Sequence, residues 1–189
     1  MNDLKKYEKA IENLATHKEN FDFPNSNPHH ATIVTSAILS VSNEVRFYIK
    51  NLDGSVADNI LVALDDKEPR FIQMLKSFLG EGKSIKIVVE DTETNASSQF
   101  YQYLKKEQKR IEVKTASDLF TKNIQEGFKL KMSNSDFFFM VGDRKSFRIN
   151  YDREKGEAIC NFNRPEIGER LFTNFDKYYD SCQKYIFID

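Results

Sequence analysis

Hydrophobic and polar positions change period repeatedly along the 189-residue chain, and each change marks an element. Over residues 3–19, Leu4, Tyr7, Ile11 and Leu14 recur at helical steps between Lys and Glu, which predicts an amphipathic helix. Residues 20–30, NFDFPNSNPHH, carry two prolines and several asparagines and read as a loop. A second helix is predicted over 31–42, apolar at Ile33, Ala37, Ile38 and Val41. The segment 44–50 then alternates, with Val45, Phe47 and Ile49 on one face of a strand, and 51–54 turns. Residues 60–64 and 69–79 read as helical, the second ending before Gly80 and Gly82. The β-branched run in 84–90 gives a second strand, and 96–108 gives a helix with Phe100, Tyr101 and Leu104 as its apolar stripe. A short strand at 110–114 precedes a helix to residue 125 capped by Ser117-Asp118. Helices and strands joined by short connections predict right-handed βαβ crossovers and a largely parallel sheet.

The pattern tightens after residue 128. Asp136-Phe137-Phe138-Phe139-Met140-Val141 is a nearly continuous apolar run, as in a strand buried on both faces. Gly142-Asp143-Arg144-Lys145 is a polar turn. Residues 146–151 alternate again: Phe147, Ile149 and Tyr151 point one way, and Ser146, Arg148 and Asn150 the other, with Arg148 read as solvent-facing unless it binds an anion. A charged turn at 152–156 leads to a strand at 158–162. Asn163 then suits an N-cap and Pro165 the first turn of a helix running to about residue 183. The apolar tail Tyr185-Ile186-Phe187-Ile188 must add to a sheet or dock on a partner, because a β-prone segment left in water is an adhesive edge.

The order strand, acidic turn, strand, turn, strand, Asn163-Arg164-Pro165, helix resembles the C-terminal part of a phospholipase D-like domain. Leu171, Phe175 and Tyr179 are similar to that family's helical ending, and Asp143 to the aspartate closing its HxK-bearing strand. The motif histidine and lysine then fall on Asp136 and Phe138. A second register places the HxKx4D spacing on 129–136, with Lys129 for the histidine and Lys131 for the lysine. The first register keeps the aspartate after the apolar strand, as the family does. Both lack the histidine, and the downstream Gly-Ser pair is absent. The resemblance spans about residues 31–182, its motifs lie in 136–182, and a single half is present. It implies a phospholipase D-like α/β/α sandwich with a mixed, largely parallel sheet. Residues 1–30 would form an N-terminal helix and loop, and 31–189 the domain proper.

Charge changes the functional picture. Lys and Arg total 28 against 29 Asp and Glu, so bulk charge does not support a dedicated nucleic-acid binder, although a local patch is compatible with one. No stretch approaches the roughly 20 apolar residues of a membrane span. The N-terminus lacks the apolar core of a signal peptide. Cys160 and Cys182 form neither CxxC nor metal spacing, and a soluble, reducing, cytoplasmic setting is expected. His29 and His30 adjoin each other without a nearby carboxylate or cysteine, and no metal or cofactor is expected. GxSxG, P-loop and HExxH patterns are absent.

In the family, two HxK motifs meet from two halves or two subunits. One histidine attacks phosphorus, the other protonates the leaving group, and the lysines hold phosphate oxygens. Here a carboxylate at Asp136 repels a phosphodiester, Phe138 offers no donor, and an amine at Lys129 is protonated near neutral pH. The resemblance therefore implies a catalytically inactive module for protein binding or dimerisation, such as an accessory subunit of a nucleic-acid-related or defence system. The alternatives are a phosphodiesterase with a rearranged or shared site, and an anion or nucleotide sensor. Lys129, Lys131 and Arg148 are the candidate anion ligands. Asp143 joins them as a site residue whose alternative role is turn formation. Tyr185, Ile186, Phe187 and Ile188 are the candidate interaction residues.

Overall fold

The computed structural model describes residues 3–54, 56–58, 61, 65, 67–93, 95–128, 137–152 and 157–188. Eight strands form one sheet in the order β1-β7-β6-β5-β2-β3-β4-β8. They are β1 (Phe23–Asn25), β2 (Glu44–Ile49), β3 (Ser84–Val89), β4 (Glu112–Thr115), β5 (Phe138–Gly142), β6 (Ser146–Asp152), β7 (Glu157–Asn161) and β8 (Gln183–Lys184). The helices are α1 (Asp3–Thr16), α2 (Pro28–Val41), α3 (Arg70–Gly80), α4 (Gln99–Lys106), α5 (Asp118–Gly127) and α6 (Pro165–Tyr179). Residues 60 and 62–64, expected to be helical, lie outside the described residues, as do Lys129, Lys131 and Asp136.

The sheet is mixed, but among the described residues antiparallel pairings prevail over the parallel majority that the sequence suggested. Parallel pairing is confined to β2-β3-β4, where α3 and α4 supply the crossovers. The β5-β6-β7 meander is antiparallel because its connections are too short for anything but hairpins. Strand β5 returns beside β2, also antiparallel, and β1 and β8 add antiparallel edges.

Two apolar layers flank the sheet. One contains Phe47, Ile87 and Met140 beneath α1 to α4; the other contains Tyr48, Phe139 and Ile149 beneath α5 and α6. Helix α2 is buried nearly all round, from Ala31 to Leu39, because α1 covers the side turned away from the sheet. Ile11 and Ala15 of α1 are core residues, and Tyr7 stacks on His30 with ring centroids 3.7 Å apart.

The stretch expected to be a loop at 20–30 is structured. Phe23–Asn25 pairs with β7, where an edge strand tolerates Pro24, and α2 already begins at Pro28. Asn27 caps that helix by accepting the His29 N–H at 2.8 Å. Helix α4 starts later than its apolar stripe suggests because Ser98 is its N-cap, with its hydroxyl accepting from Tyr101 N–H. The N-cap of α6 is Arg164 rather than Asn163, with Pro165 in the first turn. That helix stops at Tyr179, short of residue 183. Ser117 caps α5 as expected.

The tail continues past β8. Tyr185 N–H donates to Val113 C=O, Tyr185 is buried, and Phe187 packs on Tyr101 and Tyr185. Ile186 and Ile188 face outward. Among the described residues no helix is long and apolar enough to cross a membrane.

Candidate functional site

Register places a row of side chains across one face of the sheet. Val113, Ile87, Phe47, Met140, Arg148, Cys160 and Phe23 are successive cross-strand partners from β4 to β1. Arg148 is the one charged member of that row, and its neighbours all belong to the apolar layer under α1 to α4. The alternation of β6 was read correctly, but its polar side does not meet solvent. Helices cover both faces of this sheet, so Ser146, 1% exposed, donates to Phe162 C=O, and Arg148 points inward.

The guanidinium of Arg148 is held by neutral groups. Its Nε donates to Asn25 Oδ1 at 3.2 Å, and Nη1 donates to Asn150 Oδ1. Asn25 in turn donates from Nδ2 to the Tyr7 hydroxyl. Among the described residues no carboxylate lies within ion-pair distance of Arg148. Burial lowers its pKa from the ordinary arginine value, yet a guanidinium stays charged in proteins. Burial also pushes the Cys160 thiol and the Tyr7 phenol up to about 12, so neither supplies an anion near neutral pH.

Arg148 remains partly accessible because it forms part of the wall of a cavity of about 480 Å³. The cavity opens beyond the carboxyl end of β2, between β2 and β5. The chain leaves β2 for the parallel β3 on one side, and the antiparallel β5 begins on the other, so the cavity lies at the boundary between the parallel and antiparallel parts of the sheet. Phe47, Phe71, Phe100 and Phe138 provide apolar wall, Asn150 and Arg148 the polar wall, and Lys50 and Asp53 sit among the lining residues. No histidine is among them. His29 and His30 occupy the first turn of α2, and burial, then the neighbouring His29, lowers the pKa of His30.

The other expected site residues are dispersed. Asp143 lies past Gly142 at the opposite end of β5 from Phe138. Its Oδ1 accepts from Asn43 N–H at 2.8 Å and Glu44 N–H at 2.9 Å, tying the β5-β6 turn to the start of β2. In that turn Asp143 and Arg144 adopt φ of +46° and +61°, and Lys145 N–H donates to Gly142 C=O. Asp143 is thus far from the cavity and fully engaged as a turn-former. Tyr185 to Ile188 lie at the β8 edge.

A charged cluster that no local pattern announces lies on the opposite face. Arg46, 4% exposed, donates to both carboxylate oxygens of Asp176 at 2.8 and 3.2 Å, and Lys86 reaches the same carboxylate at 3.3 Å. The Phe172 ring lies between Arg46 and Arg144, at 4.2 and 4.4 Å. Every charge here is matched, which makes the cluster a structural tie. Among the described residues no three His, Cys, Asp or Glu side chains converge as a metal site.

No family model matches the chain, and no curated protein does. Solved structures do. The chain is similar to TrmBL2, an archaeal chromatin protein whose structure shows a novel mode of DNA binding. The TM-score is 0.53 at 14% identity, covering 95% of this chain and 61% of that one. It is also similar to Nuc from Salmonella typhimurium, a phospholipase D family member. There the TM-score is 0.55 at 14% identity, covering 88% of this chain and 99% of that one. With its eight-stranded mixed sheet and flanking helices, the chain has a phospholipase D-like α/β fold.

Proposed function

We propose that this chain is a phospholipase D-like module that binds rather than cleaves. It would be a catalytically inactive domain serving association with a protein partner or a second copy of itself, as an accessory subunit in a nucleic-acid-related or defence setting. What supports this reading is the first register, in which the family's catalytic lysine falls on Phe138, a buried residue with its ring 5.2 Å from that of Tyr48. A phenyl ring neither transfers a proton nor holds a phosphate oxygen. The cavity that Phe138 lines has no histidine among its described lining residues, which fits a reading without a phosphohistidine route.

The fold shared with an archaeal chromatin protein supports a nucleic-acid-related setting. A net charge of −1 argues that this chain does not hold a duplex by its own electrostatics. The test is metal-free hydrolysis of bis(p-nitrophenyl) phosphate and of single- and double-stranded nucleic acids by the purified chain. No turnover is expected. Activity that survives purification and disappears in a His29→Ala/His30→Ala double variant overturns the reading. Activity lost only in Lys129→Ala or Lys131→Ala does so too, and assigns the site to the second register.

A further inference from the structure

A largely buried cation in the wall of a cavity needs a counter-charge. Among the described residues Arg148 has none, although isolated buried charges are costly and are ordinarily paired. Its two acceptors, Asn25 and Asn150, are neutral amides, and among the described residues Nη2 has no acceptor. Across the cavity stand phenyl rings, including Phe47, Phe71 and Phe100. We propose that the cavity is a binding site for a small organic monocarboxylate, its carboxylate on the Arg148 guanidinium and its apolar body against the phenylalanine rings. This rests on the non-catalytic reading above, because a site that turned over phosphodiesters would have to leave this space to its substrate.

Charge count and geometry select the ligand class. Among the described lining residues the charged groups are Arg148, Lys50 and Asp53, a net of one positive charge for the occupant. A monoanion neutralises it, whereas a phosphate dianion exceeds that net charge by one. The N-terminus of α2 reaches the cavity but adds little. Pro28 has no N–H, and the His29 N–H is already taken by Asn27. A planar guanidinium pairs with a planar carboxylate in a bidentate fork. The cavity, at about 480 Å³, lies within the range of small-molecule sites, roughly 300–1,000 Å³.

The test is calorimetric titration and thermal denaturation of the full chain with phenylacetate, 2-naphthoate and octanoate. Phenylacetamide, 2-naphthamide and octanamide serve as neutral counterparts, and inorganic phosphate as an anion without an apolar body. At least one carboxylate should bind with a Kd of about 1 mM or tighter. Its amide should bind at least about tenfold more weakly, since a charge-assisted pair is replaced by a neutral hydrogen bond. Phosphate should show no saturable binding. Arg148→Met should erase the preference for acid over amide, with a modest fall in Tm from the Asn25 and Asn150 carbonyls it leaves without a donor. Should that variant fail to fold, Ala31→Leu keeps the guanidinium and fills cavity space beside α2, and should abolish carboxylate binding. The proposal is overturned if acids and amides bind equally, if phosphate binds as well as the acids, if no carboxylate binds, or if the folded variants bind carboxylate like the natural chain. Absence of both hydrolysis and carboxylate binding removes the ligand but leaves the non-catalytic reading. Hydrolysis together with carboxylate binding does the reverse.

Discussion

Neutralising Asp176 should cost the fold more than any other single charge removal on the α6 side of the sheet. Arg46 is 4% exposed and lies against the Phe172 ring, so it cannot recover water when its partner is lost. Breaking a buried pair by removing one partner costs about 3–5 kcal/mol. Two features reduce that here. The Asp176 side chain is 32% exposed, and Glu44 still accepts from Arg46 Nη2 at 3.4 Å. An Asp176→Asn substitution, which keeps shape and one acceptor oxygen, should therefore cost about 2 kcal/mol. For a chain of this length that lowers Tm by about 4–8 °C. The pH dependence has a definite sign. Burial alone would raise the Asp176 pKa, but the hydrogen bonds and charge of Arg46, with Lys86, outweigh it and hold the carboxyl below its ordinary value. A carboxylate with a depressed folded pKa contributes stability above the unfolded pKa of about 3.9, and that stability is lost as pH falls through the lower folded value. The difference in Tm between the natural chain and Asp176→Asn should thus be full at pH 7 and shrink below about pH 4. Thermal unfolding followed by circular dichroism from pH 3 to pH 8 measures both. A difference under about 2 °C at pH 7, or one that persists unchanged in acid, would refute the reasoning.

Three further outcomes are expected. Asp143→Ala should lose about 1–2 kcal/mol in urea unfolding, through the two backbone N–H groups it leaves unpaired and the positive φ it imposes on alanine; unchanged stability would return Asp143 to the candidate ligands. Removing residues 185–189 should lower Tm by at least about 5 °C because Tyr185 is buried and bonded to β4, whereas Ile186→Asp, 82% exposed in the parent, should leave Tm within about 1 °C. If association with a second copy, proposed above, is the chain's role, sedimentation at micromolar concentration should give about twice the 22.1 kDa chain mass; a monomer throughout that range counts against pairing.

The βα alternation through residue 127 was legible because each segment carries its own signal: a helical stripe at Phe100, Tyr101 and Leu104, β-branched residues in β3, Ser117 ahead of α5. The preponderance of antiparallel pairs was less so. The hairpins at 142–146 and 152–157 were readable as turns, but nothing local says that β5 returns beside β2. Strand β1 was hidden by composition. Proline and asparagine argue for a loop, and only β7, more than a hundred residues later, supplies the partner that makes Phe23–Asn25 a strand.

The candidate site was half legible, and the missing half has a physical cause. Alternation put Arg148 and Asn150 on one face of β6, and that is where they are. What alternation cannot supply is the identity of the solvent, because a strand with one polar face normally turns that face to water. Here α2 closes over it, backed by α1, which the sequence set in an N-terminal segment of residues 1–30 apart from the domain proper. The same helix brings Tyr7 to Asn25, and Asn25 to Arg148, so the polar contacts that orient the guanidinium come from a segment with no apparent link to the site. A polar strand face covered by helices is expensive unless each group has a partner. Ser146 and Asn150 have theirs within the protein. Among the described residues Arg148 has hydrogen bonds but no counter-charge. That deficit, in the wall of the cavity, is the feature on which the proposed binding site rests.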